Sequence, residues 1–469
     1  MLSREASQQT FRAQHIVVDW LDKHWTFFAL VLCLVVQFLA YRNCSMGLPI
    51  RADGVGYYIY LPSWIMHQDV SLSKVLNTEH QGFVPPGTNL TLNLETGSWQ
   101  NKFNAGVALF MLPFFLLAHW GSLLGYRLGL QSWAPDGYSS LYQLFASLAG
   151  SFYLVSGLSL LKGILQSLFT KQTVVLGLLS ILLGTNVLHY GTGESVMSHA
   201  YSFFLFTTLL WLMPRWYEKA GSFWVNIALG LTMGAVLLIR PVNGISWIIW
   251  PLYGISSWGW RRTMAHWWQY KQWILLIIGM CVLTFLPQMY IWKKTFGAWF
   301  VNSYGDYGLS NWNNPAIGQV LFSVRKGILM YTPLTAVAFI GLFTMRKALS
   351  AYRLFIGIYF CLVLYVISSA AIWYAGGSFG QRYLMESWAF LGIPLCSTLE
   401  TVRERRVWSV ILAAVVIACI SWNLFFMYLY YSREIPFEGL DAPAFFDVFW
   451  WRKDLIMQWI GEFVSSLKA

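Results

Sequence analysis

Charge is what this sequence has little of. Asp, Glu, Lys and Arg make up 11% of its 469 residues, and only 20 residues are acidic. A soluble chain carries about 25%, so a water-soluble domain of this length is excluded. Cysteine is sparse and without pattern: the six, at 33, 44, 281, 361, 396 and 419, show no metal-ligand or redox spacing. Most lie in apolar runs, where they act as small hydrophobes. Segments of alternating polarity about ten residues long are also missing, which excludes a membrane β-barrel. What remains is apolar. Hydrophobic residues are 57% of the chain and aromatics 18%, and the apolar runs have the length of helices. Lipid leaves the backbone no partner but itself, so the fold class is an all-α polytopic membrane protein. The net charge of +11 then fits basic loops against anionic headgroups rather than nucleic acid.

Residues 1–24 are polar and then amphipathic, with 15–21 resembling an interfacial helix. The first apolar run, 25–41, has no small-residue cleavage signature behind it and reads as a retained span. Further runs fall near 139–161, 173–189, 199–213, 223–239, 243–257, 272–290, 331–345, 352–371, 383–399 and 407–430. The run 103–124 decides the parity of all of them. If it lies in the interface or re-enters, Lys162, Lys171, Arg215, Lys219, Arg261, Arg262, Lys271, Arg346, Lys347, Arg353, Arg403, Arg405 and Arg406 all share the N-terminal side, the positive-inside pattern. The expectation is a single domain, 1–469, of about eleven transmembrane helices with a cytoplasmic N-terminus. Residues 43–138 form a large first outer loop with interfacial helices, 292–330 a second outer loop, and 431–469 an outer tail.

The outer face then collects the groups able to do chemistry. Arg51–Pro62 places the carboxylate of Asp53 just past the first span, with Gly54 and Gly56 letting the backbone turn and Tyr57 offering a ring to a sugar or to the interface. Arg325, Lys326 and Arg382 are the best outer cations for a phosphate, the alternative for the first two being loop charges beside headgroups. Glu194 and His199, with His189 nearby, form an acidic and hydrogen-bonding cluster or else satisfy helix ends. A zinc site there lacks an open tetrahedral set. His80 and Lys102 in the first loop can touch phosphate or acceptor or else are solvated loop residues, and Tyr304 with Asp306 sits on an aromatic loop that covers the pocket or belongs to the aromatic belt.

Ala52-Asp53-Gly54, Asn101-Lys102-Phe103-Asn104, the 193–199 segment, Phe322–Gly327 and the Gly376–Tyr383 corner, taken in that order and on one face, resemble the GT-C glycosyltransferases. In particular they resemble bacterial relatives of the protein O-mannosyltransferases and the lipid A aminoarabinose transferases. The resemblance implies a GT-C-like bundle and a polyprenyl-phosphate-linked sugar donor. It also implies an unknown hydroxyl acceptor, Asp53 as catalytic base, and a bacterial inner-membrane location with a periplasmic active site. The sequence has no Asp-x-Asp pair of the kind that metal-dependent oligosaccharyltransferases use, which points to an enzyme without metal or other cofactor. A lipid or solute transporter is the second reading, although no internal repeat is visible; a non-catalytic membrane scaffold is the third.

Overall fold

A computed structural model describes residues 2–42, 47–77, 90–93, 97–303, 308–450 and 461. His80, Tyr304 and Asp306 lie outside the described residues. The first half comprises α1 (Leu2–Arg42), α2 (Asp53–Tyr58), α3 (Tyr60–Ile65), α4 (Ser73–Asn77), α5 (Gly106–Arg127), α6 (Ser140–Gln166), α7 (Lys171–Gly184), α8 (Val187–Thr192), α9 (His199–Glu218) and α10 (Phe223–Ile239). The second half adds α11 (Ile249–Trp258), α12 (Trp260–Gln269), α13 (Lys271–Thr295), α14 (Ile317–Phe322), α15 (Ile328–Tyr331), α16 (Leu334–Thr344), α17 (Ser350–Ser368), α18 (Trp388–Val402), α19 (Arg406–Tyr431) and α20 (Ala442–Trp450). Among the described residues one short antiparallel strand pair, β1 (Leu90–Asn93) with β2 (Ser98–Asn101), joins an otherwise helical chain.

Among the described residues six helical segments are long and apolar enough to cross a membrane: Ile16–Arg42, Gly106–Arg127, Ser140–Gln166, Lys271–Thr295, Lys347–Ser368 and Arg406–Tyr431. The chain is a helical membrane protein. In α1 the backbone kinks at His24 (φ −112°, ψ 22°), separating the amphipathic entry from the apolar run.

Contacts sort the helix ends into two groups. At one end Lys162 pairs with Asp22 and Lys171 with Asp19, both at 3.0 Å. Glu400 accepts from Thr170 (2.8 Å) and Thr173, with Arg346 and Arg403 beside it. This is the basic end. At the other, Tyr41 and Arg51 donate to the backbone of Thr192 and Gly193, and Arg382 meets Asp53. Helices α1 and α6 run antiparallel between these ends, since Asp22 touches Lys162 while Gln37 donates to Ser147 O and Ser151 Oγ at 2.8 Å.

Helix α5 starts beside the C-terminal ends of α10 and α13. The Ala105 amide donates to Gln288 at 2.8 Å, and Gly106 abuts Leu238 and Ile239. From there α5 runs back along the first half of α6, with Phe110 on Tyr153 and His119 bonded to Tyr142.

Four apolar runs are not single helices. Breaks fall at Thr185–Asn186, at Arg240 before the 3-10 turn Pro241–Ile248, at Thr332–Pro333, and at Gln381 before the 3-10 turn Arg382–Ser387. Unwound backbone at membrane depth is tolerated only where protein or a cavity satisfies it. Here Asn186 donates to Gln381 O, and Tyr190 exchanges hydrogen bonds with the Phe379 backbone at 3.1 Å. The first and last of these breaks therefore tie to one another.

Candidate functional site

The pocket at the Asp53 end is lined by Asp53, Tyr57, Lys102, Phe103, Met197, Ser198, His199, Arg240, Arg382 and Tyr383. Asp53 opens α2 but does not cap it, since that helix has no side-chain cap. Its carboxylate instead receives Arg382 Nη2 at 2.9 Å. Ala52, just before it, is held at φ +46°, a left-handed conformation that costs a non-glycine residue energy and is common beside functional groups. Gly54 and Gly56 do not form the turn expected of them. Both are helical, and their use is close approach: a Cβ on Gly56 would stand 2.3 Å from the Phe103 ring and one on Gly54 3.3 Å from Val196.

The hairpin delivers Lys102. Asn101 donates to Gly56 O at 2.7 Å and Tyr60 to Phe103 O at 2.7 Å, which fixes the Lys102–Phe103 pair against α2. Burial lowers the Lys102 ammonium below its ordinary value, with Arg382 adding to the shift and Asp53 opposing it. Tyr57 packs on Phe103 with ring centroids 4.4 Å apart and donates to Ser198 Oγ at 3.2 Å. The guanidiniums of Arg240 and Arg382 lie over the ring of Tyr383, at 4.8 and 5.6 Å. Arg382 Nε finds no hydrogen-bond partner among the described residues.

Of the residues singled out from sequence, Asp53, Tyr57, Lys102, His199 and Arg382 thus meet in one pocket. Glu194 does not line it. It stands 3.4 Å from His189 and accepts from Tyr430 at 3.4 Å. Burial opposes its charge, but the His189 contact and the cations Arg51 and Arg382 outweigh burial and hold its carboxyl at about 2. Arg325 stacks on Tyr374 at 3.4 Å and faces Glu438. Lys326 is 1% exposed, and its ammonium donates to the carbonyls of Ser378 and, at 2.8 Å, Phe437. Neither lines the pocket.

Burial pushes Lys326 down to about 7 from its ordinary 10.5, with Arg382 reinforcing and Glu194 opposing. Between those two values the unfolded chain binds more protons than the folded one, so stability rises with pH; below about 7 both are protonated and the slope vanishes. Thermal melts of the purified protein across that window are expected to show the rise, and Lys326→Met to flatten it. An unchanged slope in the variant refutes the assignment.

Sequence reasoning left two site residues unassigned. Arg240 was visible only as a charge before a proline at a span end. Glu386 lies inside an apolar run, and an ionisable residue so placed is a functional candidate by default. Glu386 Oε1 takes both His199 Nδ1 (2.9 Å) and Arg240 Nη1 (3.1 Å).

A wider groove, about 440 Å³, shares Arg240 and Tyr383 with the polar pocket and continues along Pro241, Val242, Ile245, Trp312, Val366, Ile367 and Ala370. Charge at one end and aliphatic walls beyond describe a place for an amphipathic molecule with an anionic head. No group of three or more His, Cys, Asp or Glu among the described residues is arranged to hold a metal ion. Compared with known proteins, the chain matches no family model, no curated protein and no solved structure.

Proposed function

We propose that the chain is a polytopic glycosyltransferase of GT-C type that moves a sugar from a polyprenyl-phosphate donor to a hydroxyl acceptor, without a metal. The observation that carries the reading is the junction of the Asp53, Lys102, Arg240 and Arg382 pocket with the aliphatic groove. In this reading the isoprenoid lies along Val242, Ile245, Val366 and Ile367 while the phosphate meets the three cations. The acceptor oxygen attacks the anomeric carbon, Asp53 takes its proton, and the carbon–oxygen bond to phosphate breaks with the electron pair leaving on the polyprenyl phosphate. That leaving group is a stable anion, so one base suffices. Donor phosphate competing for Arg382 releases Asp53 to act. The test is release of polyprenyl phosphate from a labelled donor by purified protein in nanodiscs, with Asp53→Asn as the control.

The site belongs, in this reading, to the periplasmic face of a bacterial inner membrane. Eleven crossings follow if α5 stays at the interface: α1, α6, α7 with α8, α9, α10, the Pro241–Ile248 turn with α11, α13, α15 with α16, α17, the Arg382–Ser387 turn with α18, and α19. The N-terminus is then cytoplasmic and the tail outside, with the basic loops inside. In a background lacking native thiols, an impermeant maleimide is expected to label Asn302→Cys in intact cells and to miss Glu404→Cys, both positions being exposed. The reverse pattern inverts the topology.

A transporter is the second reading, favoured by the two segments broken at Arg240 and Gln381 beside a polar pocket. Uptake of a solute into proteoliposomes without any donor turnover would select it.

A further inference from the structure

Glu386 joins three elements through one atom. Its Oε1 receives the first residue of α9, His199, and the cation at the break after α10, Arg240, while Glu386 itself sits in the 3-10 turn that follows the Gln381 break. His199 and Arg240 line the polar pocket, whereas Glu386 does not and is only 2% exposed. Its second oxygen has no hydrogen-bond partner among the described residues. A buried carboxylate is expensive, and a buried ion pair adds little net stability over a packed apolar substitute. What this one does is set two pocket groups. With Nδ1–H of His199 committed to the carboxylate, Nε2 is the nitrogen left for the pocket, an acceptor while the imidazole is neutral. Arg240, pinned at Nη1 and laid over Tyr383 at 4.8 Å, is held in one orientation.

Resting on the transferase reading, we propose that Glu386 is the positioning residue of this pocket, aiming Arg240 at the donor phosphate and turning His199 Nε2 toward the sugar. The role predicts that Glu386 acts on phosphate affinity through Arg240.

The test uses the full-length protein in zwitterionic nanodiscs with decaprenyl phosphate as probe, its binding followed by tryptophan fluorescence, for wild type, Glu386→Gln, Arg240→Ala and the double variant. Each single change is expected to weaken binding by about tenfold to a hundredfold. The double variant is expected to bind no more weakly than Arg240→Ala alone, because both changes remove the same contact. A merely structural Glu386 would give additive losses, and that outcome overturns the role. So does wild-type affinity in Glu386→Gln. Should that variant fail to fold, Glu386→Asp, which keeps the charge on a shorter arm, carries the comparison with Arg240→Ala: intermediate affinity supports the role, and unchanged affinity overturns it. Absence of binding to the wild-type protein overturns the transferase reading together with the role built on it.

Discussion

Asp53→Asn is expected to leave the fold standing and to lower sugar transfer from a polyprenyl-phosphate donor by about a hundredfold or more. The substitution keeps size and hydrogen-bonding capacity while removing the charge and the ability to take a proton. Asp53 makes no side-chain cap in α2, so at that helix end the variant loses only a first-turn negative charge. It does lose the counter-charge of Arg382 at 2.9 Å, and removing one partner of a largely buried pair destabilises. Turnover and thermal stability are therefore measured together. The catalytic role requires that Arg382→Ala with its own stability loss, and Asp53→Asn with its own, fail differently: the first in donor binding, the second in turnover at saturating donor. Near-normal turnover in the Asn variant removes Asp53 as the base.

Gly341→Ala is expected to destabilise the protein by about 3 kcal/mol. Helices α16 and α18 approach so closely there that an added Cβ would stand 1.8 Å from Pro394 O, a backbone atom, and 2.8 Å from Thr398 Oγ1. No side chain can swing aside to make room, so the helices must separate. In lipid, where apolar surface gains nothing by leaving the bilayer, such backbone approach is a main source of helix association. Gly357→Ala in α17 is the control. Nothing lies within 4 Å of its added Cβ, and alanine in a helix interior is favoured over glycine by about 0.5–1 kcal/mol. Detergent thermal melts in which both variants shift alike would refute the packing argument.

The helical membrane class was legible because it follows from composition and run length, which lipid constrains residue by residue. The basic loops needed only counting, and two of their lysines, Lys162 and Lys171, pair with Asp22 and Asp19 of α1. Asp53 and Arg382 were legible as charges beside turns at the ends of apolar runs. The hairpin that carries Lys102 was not, since four-residue strands leave too short a pattern to read. The glycines at 54 and 56 were misread, because sequence cannot distinguish a glycine needed for a turn from one needed for the approach of Phe103.

What the sequence determined by itself was the solvent: so few charges and so many helix-length apolar runs admit only a bilayer. Which polar groups meet was decided by tertiary structure alone. Asp53 and Arg382 are 329 positions apart in the chain, and nothing local brings them to 2.9 Å. Lys326 and Arg382 look equivalent as outer cations, yet one is spent on two backbone carbonyls while the other faces the pocket. The physical reason is that a charge in a low-dielectric interior must be paired, and its partner is chosen by how helices pack rather than by which residues adjoin it.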